Sequence, residues 1–311
     1  MNNSTNLNIR IDKSVKENSE KIFEDLGLNM TTAINMFLRE VIRVNGIPFE
    51  IKGNTPNQET IEAMEESIRL ANDNTKGQWW IKSSINEGDI NVTTKASVGV
   101  GGIEGRNGDT GGRLIGCTNT GDITINSAGA TVIGGGLRGD GNGQINTKSL
   151  NTGDITMTTS AATSIQLAGV VGNDGATAVN ASAYDCNLTL NHTGTTTPKV
   201  YASLAVAYRQ GANPTYTGTY GGNIRLLDAN GERLTNGTIY CGLLEGYTKS
   251  DGKVNNVVTP TITISSVSLK KGTIINGVEI SDSNYNTREY LFPNLAGSGY
   301  TFNGLDKVSL V

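Results

Sequence analysis

Three cysteines and one histidine are the side chains best suited to metal or nucleophilic chemistry, and their spacing argues against both. Cys117, Cys186 and Cys241 stand 69 and 55 residues apart, no two form a CxxC pair, and His192 is the single histidine. A tetrahedral metal needs four donors, usually from closely spaced pairs, so no metal site is expected. The cysteines read instead as small buried hydrophobes in a reducing compartment. Asp89, Asp122 and Asp154 recur at one position of a repeat and could offer oxygen ligands to calcium, but turn-forming, solvated aspartate is the simpler reading. No carboxylate pair stands out for glycosidase or lyase chemistry, and no Ser-His-Asp or Cys-His set exists beyond His192. The glycine-rich stretches lack the Lys-Ser/Thr of a phosphate loop. No catalytic residue, no cofactor and no enzymatic activity are expected.

The elements that would carry any chemistry divide into two compositions. The chain has 311 residues, enough for two domains, with 36% apolar and 17% charged residues. Forty glycines against six prolines indicate a protein built from turns rather than a proline-rich linker. Residues 1–78 carry nine Lys/Arg and twelve Asp/Glu and few glycines, whereas residues 79–311 carry 16 and 17 and are rich in Gly, Thr, Asn and Ser. With a net charge of −4 there is no global basic field, so any nucleic-acid binding must come from a local surface. The N-terminus is polar and lacks the apolar run of a secretory signal, and nowhere do eighteen apolar residues run together. A cytoplasmic location without a membrane segment is the expectation from these features.

Within the first composition, Leu7, Ile9 and Ile11 alternate with Asn6, Asn8 and Arg10, the period of a strand with one buried face. Asp12 is suited to cap a helix whose apolar positions are Val15, Ile22, Phe23 and Leu26, with Gly27 ending it. Asn29 can cap a second helix with the stripe Ala33, Ile34, Phe37, Leu38 and Val41, stopped by Gly46-Ile47-Pro48-Phe49. One short strand and two short helices cannot bury a core alone, and the strand's backbone donors need a partner. Dimerisation through that strand is therefore expected.

These segments carry a resemblance. Asn8-Ile9-Arg10-Ile11-Asp12, Leu26 to Ile34 and Gly46 to Ile51 resemble, in order, the signatures of the RelB/DinJ family antitoxins, which fold as a ribbon-helix-helix. The likeness continues more weakly through a predicted helix Asn57–Asn72 to Lys76-Gly77. It implies a homodimer whose paired strands enter the major groove of operator DNA, with autorepression of its own operon. Asn6, Asn8 and Arg10 would read base edges, since Arg suits guanine and Asn suits adenine. Asn29, Thr31 and Thr32, at the start of the second helix, would hold phosphate. Taken by itself, an Asn-x-Arg pair is simply the wet face of a strand. The resemblance further implies a RelE/YafQ-like toxin partner, bound through the apolar stripe of Ile61, Met64 and Ile68. After Gly77 the likeness stops at Gln78-Trp79-Trp80-Ile81, where the family would carry a further amphipathic stretch.

From residue 81 the chain repeats. Gly-Asp-Ile recurs at 88–90, 121–123 and 153–155. Apolar pairs flanking one polar residue appear six times, at Ile90/Val92, Ile123/Ile125, Ile155/Met157, Leu188/Leu190, Ile224/Leu226 and Ile262/Ile264. The period predicts one in-out-in strand per repeat, with Asn91, Thr124, Thr156, Thr189, Arg225 and Thr263 facing out. A second strand is expected at Gly102-Ile103-Glu104-Gly105, Gly136-Leu137-Arg138-Gly139 and Gly169-Val170-Val171-Gly172, with weaker versions near Leu204, Leu243 and Val278. The outward threonines could meet a sugar or ice, although a plain strand surface explains them. The Gly-apolar-x-Gly and Asn-Thr-Gly-Asp-Ile units resemble GLUG-type β-solenoid repeats of bacterial surface and adhesin-like proteins. A β-sandwich stays open, because 32–38 residues is long for one coil.

The expected organisation is a ribbon-helix-helix over 1–51, a linker and amphipathic arm over 52–78, and an all-β solenoid (β-helix) over 79–311. The leading functional expectation is an antitoxin and autorepressor carrying the solenoid as an appendage. The alternative is a structural or adhesive solenoid, possibly a fusion, whose N-terminal module only dimerises.

Overall fold

The computed structural model describes residues 5, 8–48, 80–106, 112–141, 145–175, 178–210, 213–249, 261–295 and 300–311. Asn6, Ile61, Met64, Ile68 and the predicted helix at 57–72 lie outside the described residues. Two compact units divide the chain, Met1–Thr55 and Pro56–Val311.

The first unit is a helix pair. Helix α1, Lys13–Asp25, begins where the Asp12 carboxylate accepts the Ser14 N–H at 2.8 Å. It ends in a Schellman turn: Leu28 N–H reaches the Phe23 carbonyl and Gly27 N–H the Glu24 carbonyl, with Gly27 at φ +71°. Helix α2, Met30–Val44, is capped by Asn29, whose Oδ1 accepts the Thr32 N–H at 2.8 Å. Its stop comes one residue before the expected Gly46, because Asn45 takes the left-handed conformation at φ 50°. Residues 8–11, expected as a strand, carry no ladder among the described residues. A strand is defined by a neighbour's hydrogen bonds, and the described part of the unit offers this segment none. Neither helix buries a single side chain.

The second unit is a parallel β-solenoid. Two five-stranded sheets run up its length. One joins Val98–Gly101, Thr131–Gly135, Ser164–Ala168, Lys199–Ser203 and Thr238–Gly242. The other joins Glu104–Arg106, Arg138–Gly141, Val171–Asp174, Val206–Arg209 and Glu245–Thr248. A larger sheet closes the remaining sides. Parallel pairing between successive coils removes the β-sandwich alternative, whose sheets are antiparallel.

Five of the six apolar pairs stack as expected: Ile90, Ile123, Ile155, Leu188 and Ile224 align in register, two positions before Val92, Ile125, Met157, Leu190 and Leu226. The sixth is in the wrong column. Ile264 follows Leu114, Ile145, Val179 and Tyr216 on another side of the coil, and Ile275 succeeds Ile224. Both Ile262 and Ile264 are buried, so the in-out alternation was legible but not the side to which it belongs. The Gly-apolar-x-Gly segments are corners that turn the chain from one five-stranded sheet into the other, with a strand starting at their third position. Val278 has no such place; it pairs antiparallel with Ile275. The corner position above Leu243 and Leu244 is filled by the short helix Arg288–Leu291, where Tyr290 and Leu291 carbonyls accept their N–H groups. That helix and Phe292, packed on Tyr216 and Phe302, cover the end of the stack.

Candidate functional site

The repeat unit explains itself residue by residue. In Asn-x-Gly-Asp-Ile, the isoleucine enters the core. The glycine is required by close stacking, since a Cβ on Gly153 would lie 2.0 Å from the Gly121 carbonyl oxygen. The asparagine donates twice: Asn119 Nδ2 reaches its own Gly121 carbonyl at 2.9 Å and Asn151 Oδ1 of the next coil at 2.7 Å. Asn86 does the same one coil earlier. The aspartates stack as expected, and their carboxylates are occupied by protein. Asp89 accepts the Asp122 N–H at 3.0 Å, Asp122 the Asp154 N–H at 2.8 Å, and Asp154 the Asn187 N–H at 2.6 Å. Among the described residues no group of three His, Cys, Asp or Glu side chains could hold a metal ion.

The outward column Asn91, Thr124, Thr156, Thr189 and Arg225 is in register, with Arg225 Nη2 donating to Thr189 Oγ1 at 3.3 Å. Thr263 pairs with Thr215 and so leaves that column. Cys117 and Cys186 are buried and Cys241 half-buried, all free thiols. His192 is buried, with its ring nitrogens toward Thr159 Oγ1 and the Thr196 carbonyl.

Two features of the solenoid went unread in the sequence. The first is buried charge. Arg138 pairs with Glu104, and Arg209 meets Glu245 at 2.6 Å and Asp174 at 3.2 Å, with Tyr216 completing the cluster. Burial pushes the Glu104 carboxyl up, against the pull of Arg138, and holds the Tyr216 phenol well above its usual range. The second is a tyrosine quartet. Tyr201 stacks on Tyr240 of the next coil at 6.0 Å, and Tyr208 on Tyr247 at 5.4 Å. Across the corner, Tyr201 and Tyr208 lie 5.0 Å apart. A groove of about 550 Å³ opens beside them, lined by Gln166, Asn173, Lys199, Tyr201, Tyr208 and Gln210 among others. A signal was present: the two Tyr-x6-Tyr pairs, 201/208 and 240/247, are 39 residues apart, outside the earlier period of 32–33.

In the helix pair, Asn8 and Arg10 are exposed on the segment before α1, and Asn29, Thr31 and Thr32 are exposed at the start of α2. Thr32 N–H is taken by the Asn29 cap, and Met30 and Thr31 hold N–H groups that an α-helix leaves without intrahelical acceptors. Large apolar side chains stay in water, among them Val15, Ile22, Leu26, Met36 and Ile42, the last at 79% exposure.

A capped helix pair and a parallel solenoid thus define the class of the molecule. Residues 4–78 match the family model of the RelB antitoxin. No curated protein and no solved structure matches the chain. Among the described residues, no helix is long and apolar enough to cross a membrane.

Proposed function

We propose that residues 1–51 form a dimeric ribbon-helix-helix that binds operator DNA and represses transcription of its own gene. Residues 52–78 bind a RelE/YafQ-like toxin, with Ile61, Met64 and Ile68 as anchors, and residues 79–311 are an appended solenoid. The match to the RelB antitoxin model over residues 4–78 carries this reading. The chemistry at the N-terminus supports it. Exposed Asn8 and Arg10 sit on the segment before α1, which has no strand partner among the described residues, and in this reading they meet a second copy and base edges. Helices that bury nothing and expose Ile22 and Ile42 need an apolar partner, and a two-fold dimer supplies one.

A gel shift with the full chain and its own upstream DNA tests the assignment. Arg10→Ala is expected to lose about 1–3 kcal/mol of discrimination against unrelated DNA, the scale of a bidentate guanine contact. Thr31→Ala, a phosphate contact in this reading, weakens binding to all sequences alike. Unchanged affinity and selectivity in the Arg10 variant would overturn the proposal. It would favour the second reading, a structural or adhesive solenoid with a dimerising N-terminus, whose support is a continuous core of its own across the coils.

A further inference from the structure

The tyrosine quartet and the buried amide beside it are used by nothing in the reading above. Gln166 lies on the coil below Tyr201 in one outward column, Gly99, Ile133, Gln166, Tyr201 and Tyr240. A facing column runs Arg106, Asp140, Asn173, Tyr208 and Tyr247. Gln166 is only 6% exposed, it lines the groove, and among the described residues nothing donates to its Oε1. A buried carbonyl without a donor is a standing cost that a ligand hydroxyl would remove. Asn173 Oδ1, by contrast, already accepts from Gln210 Nε2 at 2.9 Å.

We propose that this groove binds a neutral oligosaccharide, lying along the solenoid axis with its sugar rings against Tyr208 and its neighbours and a hydroxyl donated to Gln166 Oε1. Three observations select that ligand. Pyranose rings present apolar C–H faces that pack on aromatic faces, and Tyr208, Tyr240 and Tyr247 are half-buried rather than sealed in the core. The polar lining is mostly amide and hydroxyl, with Lys199 as its one charged side chain, so it suits a ligand of hydroxyl groups more than a polyanion. The coils repeat at ~4.8 Å, comparable with the length of one sugar ring, so a linear chain advances about one coil per ring and meets Asn173, Tyr208 and Tyr247 in turn along the facing column. Single-stranded nucleic acid also stacks on aromatics, but it requires a basic track, and Asp140 stands in the facing column where that track would run.

The test uses the full chain with cellohexaose, maltohexaose and chitohexaose in saturation-transfer NMR and calorimetry, and with oligothymidylate as the polyanionic probe. At least one hexasaccharide is expected to bind saturably and to receive magnetisation from tyrosine ring protons. Gln166→Met keeps the volume and removes the acceptor, and should weaken that binding about tenfold, the scale of one lost hydrogen bond. Tyr208→Ala should weaken it further. Thr124→Asp, on a different outward column, should leave it unchanged and serves as the folded control. The proposal is overturned if no hexasaccharide binds the folded chain, if binding is the same in the Gln166→Met variant, or if oligothymidylate occupies the groove instead. Each of these outcomes is independent of whether the N-terminal segment binds DNA.

Discussion

The protons of the solenoid's buried thiols and phenols record how thoroughly its coils exclude water. Burial, with the Asp154 carboxylate adding to it, pushes the Cys186 thiol from 9.0 up to about 12. Burial takes Cys241 from 9.0 to about 12, and burial with neighbouring Tyr208 takes Tyr201 from 10.0 to about 12. In each case the unfolded chain gives up the proton first. The stability these groups contribute is therefore complete below about pH 9 and is lost as the pH climbs toward 12. Thermal melts followed by circular dichroism across that window should show a falling Tm, and the buried Cys117 and Cys186 thiols should ignore iodoacetamide at neutral pH until denaturant is added. A Tm that stays level through the window, or rapid alkylation of Cys186 in the folded chain, would contradict the burial described.

A coil side is the smallest element on which register can be tested. Ile155→Asp places an unpaired carboxylate between Ile123 and Leu188, and should cost several kcal/mol or prevent folding. Thr156→Asp, one residue along and facing out, should change stability by less than about 0.5 kcal/mol. Proteolysis and circular dichroism of the pair decide it: equal damage from both substitutions would mean that the inward and outward faces are misassigned. The same residues mark how far the fold could be read without coordinates. Alternation of Ile and Thr reveals which residues face inward, because that depends only on period two. It cannot reveal which side of a coil a strand occupies, because every side obeys the same period; hence Ile262/Ile264 joined the wrong column and Ile275 was passed over. The capping residues Asp12 and Asn29 were legible because a cap is local chemistry. Tyr201 and Tyr240 were not found, since their partnership depends on coil length, and coil length grows along the chain.

For the molecule as a whole, the two units differ in what they bury. The solenoid has a continuous core, each fully buried aliphatic side chain contributing about 1.5–3 kcal/mol, whereas α1 and α2 bury no side chain. The full chain should therefore melt in two steps, with the lower step rising in temperature as protein concentration is raised and the upper step indifferent to it. Sedimentation equilibrium gives the independent check, and a lower step insensitive to concentration, in a chain that stays monomeric, would remove the dimer from the account. Parallel sheets ordinarily form slowly because their strands are distant in sequence. Here the Asp122 N–H finds its carboxylate 33 residues upstream and the Asp154 N–H finds its own 32 upstream. In this aspartate ladder the acceptor belongs to the coil made earlier, whereas Asn86 and Asn119 donate to the coil made later. A ribosome delivering this chain thus releases Asp122, Asp154 and Asn187, each in its turn, onto a coil whose carboxylate is already waiting, which favours growth of this part of the solenoid in the order of translation.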